Sequence, residues 1–235
     1  MTTEGKNNGG MSAVLKPSDY VHLHNLTHHS LLDGLTKIPD MVARVKELGM
    51  EACAITDHGT MSGVIEFYKA AKSAGIKPII GIETYLHNHD DIGDKSDRQR
   101  YHLILLAKNE TGYKNLMYLS SMSYIEGFYY YPRINKKILK EHSEGLVCSS
   151  ACLQGEVSWH LNLSDRNVKF GAKGYERAKE VALEYKEIFG DDFYLEIMRH
   201  GIGDQKRIDD DILRIAKETG IKVIATNDTC LLYTS

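Results

Sequence analysis

Short apolar runs alternate with longer stretches of helical periodicity along almost the whole chain after Tyr20, and that alternation restricts the fold more than any other feature. Val21–His24 reads as a brief strand. Pro39 then sits where a first helical turn tolerates proline, Met41, Val42, Val45 and Leu48 recur at helical spacing, and Gly49 supplies the stop. The unit repeats as strand Ala52–Thr56, helix Val64–Ala74 ended by Gly75, and strand Pro78–Ile82, before a polar loop from His87 to Arg100 breaks the rhythm. It resumes with strand Leu103–Ala107, helix Tyr113–Ser121, strand Leu146–Ser149, helix Tyr175–Phe189, strand Phe193–Ile197, helix Ile208–Glu218 and strand Lys222–Ala225. Such β–α units call for a mainly parallel sheet with helices outside. Over 235 residues a closed (β/α) barrel fits better than an open doubly wound sheet.

Other classes are excluded by what is missing. No G-x-G-x-x-G or Walker lysine motif occurs, which disfavours nucleotide-cofactor folds. No apolar run approaches the roughly 20 residues of a membrane span, and the polar start Met1–Gly10 lacks the core of a secretory signal, so a cytoplasmic protein with no membrane partner is expected. Residues 1–17 read as a disordered leader. Cys53, Cys148, Cys152 and Cys230 have no C-x-x-C spacing, which fits a reducing compartment. With 29 Lys+Arg against 32 Asp+Glu, any nucleic-acid contact must be local or supplied by a partner. The 11 histidines are the unusual figure, because neutral imidazole is the commonest metal ligand.

In parallel barrels functional residues gather at the carboxyl ends of strands, and metal-binding residue types recur there. After the first apolar run come His22, His24, His28, His29 and Asp33; Asp57 and His58 follow Ala52–Thr56, Glu83 closes Pro78–Ile82, Cys152 follows Leu146–Ser149, and Asp228 follows Lys222–Ala225. A lone surface histidine is usually only solvated, and His22, His28, His29, His87, His89, His142, His160 and His200 are read so. For His24, Asp33, His58 and Glu83 together, chance is the poorer explanation, because ligand types end consecutive strands. Cys152 fits buried packing as well as ligation, and Asp57 can equally cap a turn. His102 conflicts with the pattern because it opens its apparent strand: either the boundary lies a few residues away or the residue is not a ligand. Several imidazoles with a few carboxylates can hold two or three divalent cations and leave positions open for water and phosphate. Water on such a cation ionises near neutral pH and attacks phosphorus, so the expected chemistry is phosphate-ester hydrolysis.

The phrases His22-Leu-His24, Ser30-Leu-Leu-Asp33-Gly34, Ile55-Thr-Asp-His58-Gly59, Glu66-Phe-Tyr and Gly75-Ile-Lys-Pro-Ile-Ile-Gly81 form one long pattern. It continues through His102-Leu-Ile-Leu-Leu-Ala-Lys-Asn109, Gly112-Tyr-Lys-Asn-Leu116, His142-Ser-Glu-Gly-Leu146, Tyr194-Leu-Glu-Ile197, His200-Gly201 and Ala225-Thr-Asn-Asp228. Together they resemble the PHP (polymerase and histidinol phosphatase) domain, in the form found at the N-terminus of bacterial DNA polymerase III alpha subunits. The resemblance implies an α/β fold, a distorted seven-stranded (β/α) barrel over residues 18–229, truncated at its C-terminal end, with a cleft for up to three divalent cations, zinc or manganese. Carried over position by position, the implied metal ligands are His24, Asp33, His58, Glu83, His102, Cys152 and Asp228, with residues 26 and 230 in further ligand positions. Glu83, His58 and Asp228 form the implied catalytic group, and Asp57 orients His58 from behind it.

Two positions depart from the family. Leu26 stands where histidine is usual and has no lone pair to donate, so the cation held by His24, Glu83 and Asp228 loses a ligand. Cys230 replaces the other histidine, but residues 230–235 no longer resemble the family and read as a foreign tail. The implied activity is metal-dependent 3′–5′ removal of misinserted primer ends. Tyr130, in the run Phe128-Tyr-Tyr-Tyr131, would stack an unpaired base and Arg133 would meet a phosphate. Primer–template DNA and other replicase subunits are the implied partners. The paired aspartates of nucleotidyl transfer belong to a palm domain beyond this length, so DNA-directed DNA polymerase activity is expected of the longer protein only. Leu26 favours an alternative, a catalytically inactive structural and interaction module. A stand-alone phosphatase is disfavoured by the polymerase-type phrases.

Overall fold

The computed structural model describes residues 16–31 and 33–229; the expected leader up to residue 15, and the tail with Cys230, lie outside them. The strands are β1 (Ala52–Ile55), β2 (Lys77–His87), β3 (Tyr101–Ala107), β4 (Arg133–Asn135), β5 (Leu146–Ser149), β6 (Phe193–Ile197) and β7 (Lys222–Ala225). They form one sheet in the order β1-β2-β3-β5-β6-β7, with β4 beside β2. Helices α1 (Ile38–Glu47), α2 (Val64–Ala74), α3 (Glu110–Ile125), α4 (Lys136–Glu141), α5 (Glu156–Leu161), α6 (Asp165–Lys169), α7 (Tyr175–Phe189) and α8 (Gly203–Thr219) connect the strands.

The helices follow their apolar stripes. In α1 the proline lies in the first turn, where its missing N–H costs nothing, and Met41, Val42 and Val45 are buried. In α7 the buried set is Ala178, Val181, Ala182, Tyr185 and Phe189, and in α8 it includes Ile208, Ile212 and Ile215, each at spacings of three and four. These faces pack on the sheet in a core that includes Leu103, Leu105, Cys148 and Leu195. A smaller core joins α1 and α2 to Cys53 and Ile55 of β1.

The expectation of a mainly parallel sheet needs one correction. β1 pairs parallel with β2, β5 with β6 and β6 with β7, and each of these connections contains a helix. Between β2 and β3 only the loop 88–100 intervenes, and without a crossover helix the chain returns antiparallel. β3 is also antiparallel to β5, so it alone runs against the rest. Its amino end therefore lies with the carboxyl ends of its neighbours. That reversal removes the objection to His102, and the strand also begins two residues earlier than the expected Leu103, so that His102 lies within it.

The expected first strand, Val21–His24, is a set of bridges and not a ladder. His22 bridges Cys53 and Asn25 bridges Thr229. The Ala54 N–H donates to His22 O at 2.8 Å, the Leu26 N–H to Thr229 O at 2.8 Å and the Thr229 N–H to His24 O at 3.1 Å. Asn25 reinforces this line by donating from Nδ2 to the carbonyls of His22 and Ala54, at 3.0 and 2.9 Å. Residues 22–26 thus lie between β1 and the chain beyond β7, and curl the two ends of the sheet toward one another. This brings the first and last site residues together.

Candidate metal centre

The long strand β2 sets the centre of the site. β1 pairs with its first half, as far as Ile55↔Ile80, and β4 with its last, from Tyr85↔Arg133. Glu83 falls between them, inside the strand where the sequence pattern had it closing one, and is wholly buried. Side-chain alternation puts Tyr85 on the same face. The register Tyr85↔His102 then brings His102 beside both, and the bridge His58↔Glu83 adds His58.

Three imidazoles converge on this carboxylate. His24 Nε2 lies 3.0 Å from Glu83 Oε2, His58 Nδ1 lies 3.3 Å from the same oxygen, and His102 Nδ1 lies 2.7 Å from Oε1. Asp228 Oδ1 is 3.2 Å from His24 Nε2, Asp33 Oδ2 is 2.7 Å from His58 Nε2, and Cys152 Sγ is 3.6 Å from His102 Nδ1. The ligand types of the sequence pattern are therefore contiguous in space. Two strained positions hold them: Asp228 has φ +44° and Ala151, next to Cys152, has φ +58°. Gly34 is needed for a close approach, since a Cβ there would fall 2.0 Å from the Thr27 carbonyl, in the loop that carries Asp33.

Two groups offer one ligand atom each within 4.8 Å of one another, His24/Glu83/Asp228 and His58/Glu83/His102, and they share Glu83. This is the spacing that bonds of about 2.0–2.2 Å to a common ion can span. His58 Nδ1 is buried and out of hydrogen-bond alignment, as an atom meant for another partner would be. The charges agree. Burial opposes charge on His24, but the Glu83 and Glu196 carboxylates outweigh it and hold the imidazole well above its ordinary pKa. Burial would raise Glu83, yet His24 and His102 hold it well below. Burial, with Glu83 and Asp228 adding to it, pushes the Cys152 thiol well up, and burial raises Asp228. The donor set is thus an excess of negative charge in a dry place, which divalent cations fit. Leu26 is buried and adds no donor, while the three-ligand group around His24 forms without it.

Several residues were not legible as site residues. Glu196 accepts from His24 Nδ1 at 2.8 Å and from Ser149 Oγ at 2.5 Å, and Thr226 Oγ1 also donates to it. This fixes the imidazole with Nε2 facing the site. Tyr85 stacks on His58 with ring centroids 5.6 Å apart and meets His102 edge-on. A cleft of about 670 Å³ opens over the centre, lined by Asp33, His58, Tyr85 and His102 and also by Arg100 and Tyr131. His28, His29 and Glu66 form a further potential ligand group, against their reading as solvated histidines; the first two line the same cleft.

Two expectations are corrected. Arg133 is only 1% exposed and donates to the carbonyls of Asp94, Asp97 and Gln99, so it clamps a loop and cannot meet a phosphate. Tyr130 is exposed, but Arg98 covers its ring at 3.8 Å. Asp57 accepts from the Thr27 N–H and from the hydroxyls of Thr27 and Ser30, at 2.6, 2.9 and 2.7 Å. Ser30 Oγ in turn accepts from the His58 N–H. Asp57 therefore reaches His58 from behind through Ser30, at the backbone N–H.

The class follows from this fold and this cluster: the chain belongs to the PHP domain family, whose model matches residues 22–200. Its relatives include the DNA polymerase III subunit alpha of Campylobacter jejuni, 67% identical over 213 residues, and that of Helicobacter pylori, 62% identical over 211 residues. The DNA polymerase III subunit alpha of Aquifex aeolicus is 41% identical over 218 residues. These alignments cover 89–90% of the chain but only 17–18% of the relatives, so the chain spans less than a fifth of their length. Among solved structures, one assigned as a metal-dependent phosphoesterase from Bifidobacterium adolescentis shares the fold, with a TM-score of 0.53 at 15% identity over 90% of this chain and 87% of that one. A two-domain protein from Bacteroides vulgatus, described as containing a PHP-like metal-dependent phosphoesterase, matches with a TM-score of 0.51 at 13% identity, over 89% of this chain and 51% of that one. Among the described residues no helix is long and apolar enough to cross a membrane.

Proposed function

We propose that this PHP domain is the metal-dependent phosphoesterase module of a bacterial replicative DNA polymerase, acting on the 3′ ends of primer strands. The observation that carries the reading is the shared, fully buried Glu83, met by His24, His58 and His102 beneath an open cleft. The polymerase context is supported by the identity to DNA polymerase III alpha subunits, and it makes primer–template DNA and other replicase subunits the partners.

His24, Glu83 and Asp228 would hold one cation, and His58, Glu83 and His102 another, with Asp33 and Cys152 at their edges. The mixed nitrogen, oxygen and sulfur donors suit zinc or manganese. When bound, such cations supply the positive charge that polarises a phosphate ester and acidifies water. The chain's own residues do the rest. Glu196 keeps His24 in one tautomer, Tyr85 walls the His58 and His102 group from one side, and Arg100 presents a guanidinium to phosphate oxygens from the cleft wall.

Leu26 supports a second reading, a structural module of the replicase with no turnover. A 3′-mismatched primer, incubated with zinc or manganese, separates the two. Metal-dependent release of the terminal nucleotide, reduced about 100-fold or more in His58→Ala, is expected. Absence of cleavage by both the wild-type chain and Leu26→His, each carrying bound metal, would overturn the phosphoesterase reading in favour of the structural one.

A further inference from the structure

A second cavity of about 320 Å³ lies beside the metal cleft and shares Arg100 and Gln154 with its wall. The segment that ends at Tyr101 forms one side; Trp159, Arg166 and Phe170 form the other. Its arginines stand apart from the rest. Arg44, Arg177, Arg199, Arg207 and Arg214 each pair with a carboxylate, and Arg133 is buried among carbonyls. Arg98, Arg100 and Arg166 have no carboxylate partner among the described residues and all line this one cavity, Arg98 stacked on Tyr130 and Arg100 on Tyr131. Asp97 is the acidic residue of the wall, and His89 Nε2 already engages it at 3.1 Å.

The apolar side is equally particular. Trp159 packs edge-on to Tyr101 at 6.1 Å, its indole Nε1 is buried without a hydrogen-bond partner, and Phe170 is 64% exposed. The wall is preformed, because Arg133 holds the carbonyls of Asp97 and Gln99 at 3.2 and 3.3 Å and Gln99 Nε2 donates to the Tyr101 hydroxyl at 3.1 Å. Aromatic faces and three guanidiniums without a carboxylate describe a ligand with one flat ring system and one anionic end. A volume of about 300 Å³ is at the lower end of small-molecule sites and suits a single nucleotide.

We propose that this cavity binds one deoxynucleoside 5′-phosphate unit, its base against Trp159 and Phe170 and its phosphate on the three arginines. The inference rests on the phosphoesterase reading for its biological sense: Arg100 belongs to both walls, and the 5′-phosphate of a terminal nucleotide seated here is the one whose ester bond breaks when that nucleotide is released.

Trp159 is the single tryptophan, so fluorescence excited selectively at tryptophan, beyond the absorption of the 14 tyrosines, reports this cavity. The 235-residue chain is titrated with dTMP, thymidine, inorganic phosphate and a thymidine tetranucleotide, with and without EDTA. A saturable change with dTMP that persists in EDTA is expected, about tenfold weaker for thymidine and for phosphate, and about tenfold weaker in Arg166→Ala and in Phe170→Ala. Both substituted side chains are exposed, so the fold is spared. Tighter binding of the tetranucleotide than of dTMP assigns the cavity to a strand end; equal or weaker binding assigns it to the free mononucleotide. No saturable change with either nucleotide, or one undiminished in both variants, overturns the proposal. Bound metal without a dTMP response removes this inference alone, whereas a dTMP response in a chain that binds no metal removes the phosphoesterase reading and leaves the cavity.

Discussion

Glu83 and Glu196 are both buried carboxylates in the sheet, and they do different work. Glu83 is met by imidazoles from three parts of the chain, while Glu196 grips the far nitrogen of one of them. Glu196→Gln keeps the shape and removes the charge that fixes His24, so it should weaken metal binding about 10–100-fold, as loss of an outer hydrogen-bond partner does elsewhere. Chelator competition would measure it, and an unchanged affinity would show that His24 needs no such support. His24, Asp33, His58 and Glu83 are legible in the sequence because ligand types end its apolar runs. Glu196 is hidden inside Phe193–Ile197, which reads as an ordinary strand, and its charge acquires meaning only once His24 lies 2.8 Å away. Arg133 fails for the opposite reason: its aromatic neighbours suggest a nucleic-acid surface, while the carbonyls that enclose it come from a loop some 35 residues earlier.

At the scale of elements, the reversed strand β3 decides where His102 stands. The alternation of strand and helix predicts parallel neighbours, and only the missing helix between residues 88 and 100 marks the exception. That loop depends on Arg133. Arg133→Met removes a buried guanidinium from three loop carbonyls, and at about 1.5–3 kcal/mol for a hydrogen bond to a charged group the loss of stability should be about 3 kcal/mol in urea denaturation. A loss below about 1 kcal/mol would mean that water replaces the guanidinium freely. His87, at the end of β2, adds a pH dependence. Burial first, then the positive Arg133 and His89 beside it, lowers its pKa from 6.5 to about 4. The unfolded chain takes up this proton near 6.5 and the folded chain only near 4, so stability contributed by neutral His87 is lost as pH falls through that window. His87→Gln should therefore melt with a shallower pH dependence than wild type over the same range, and equal slopes would contradict the assignment.

For the whole molecule, the two ends of the described chain meet. Residues 22–26 bridge β1 on one side and Thr229 on the other, which places His24 beside Asp228 across nearly the full sequence. The barrel was legible from the β–α rhythm and the family phrases, but the manner of its closure was not. Bridges through Asn25 and Thr229 leave no hydrophobic period to read. Because the ligand groups span this seam, cations should stabilise the fold as well as serve the chemistry, by about 2.7 kcal/mol when present at a hundred times their dissociation constant. Removal by EDTA should lower the melting temperature, and re-addition should restore it. The most direct test of the account is elemental analysis of the purified chain, equilibrated with zinc or manganese, beside Glu83→Gln. Two or more ions per wild-type chain are expected, with most of them lost in the variant, because both ligand groups share that carboxylate. A wild-type chain without metal, or a Glu83→Gln chain that retains all of it, would contradict the account.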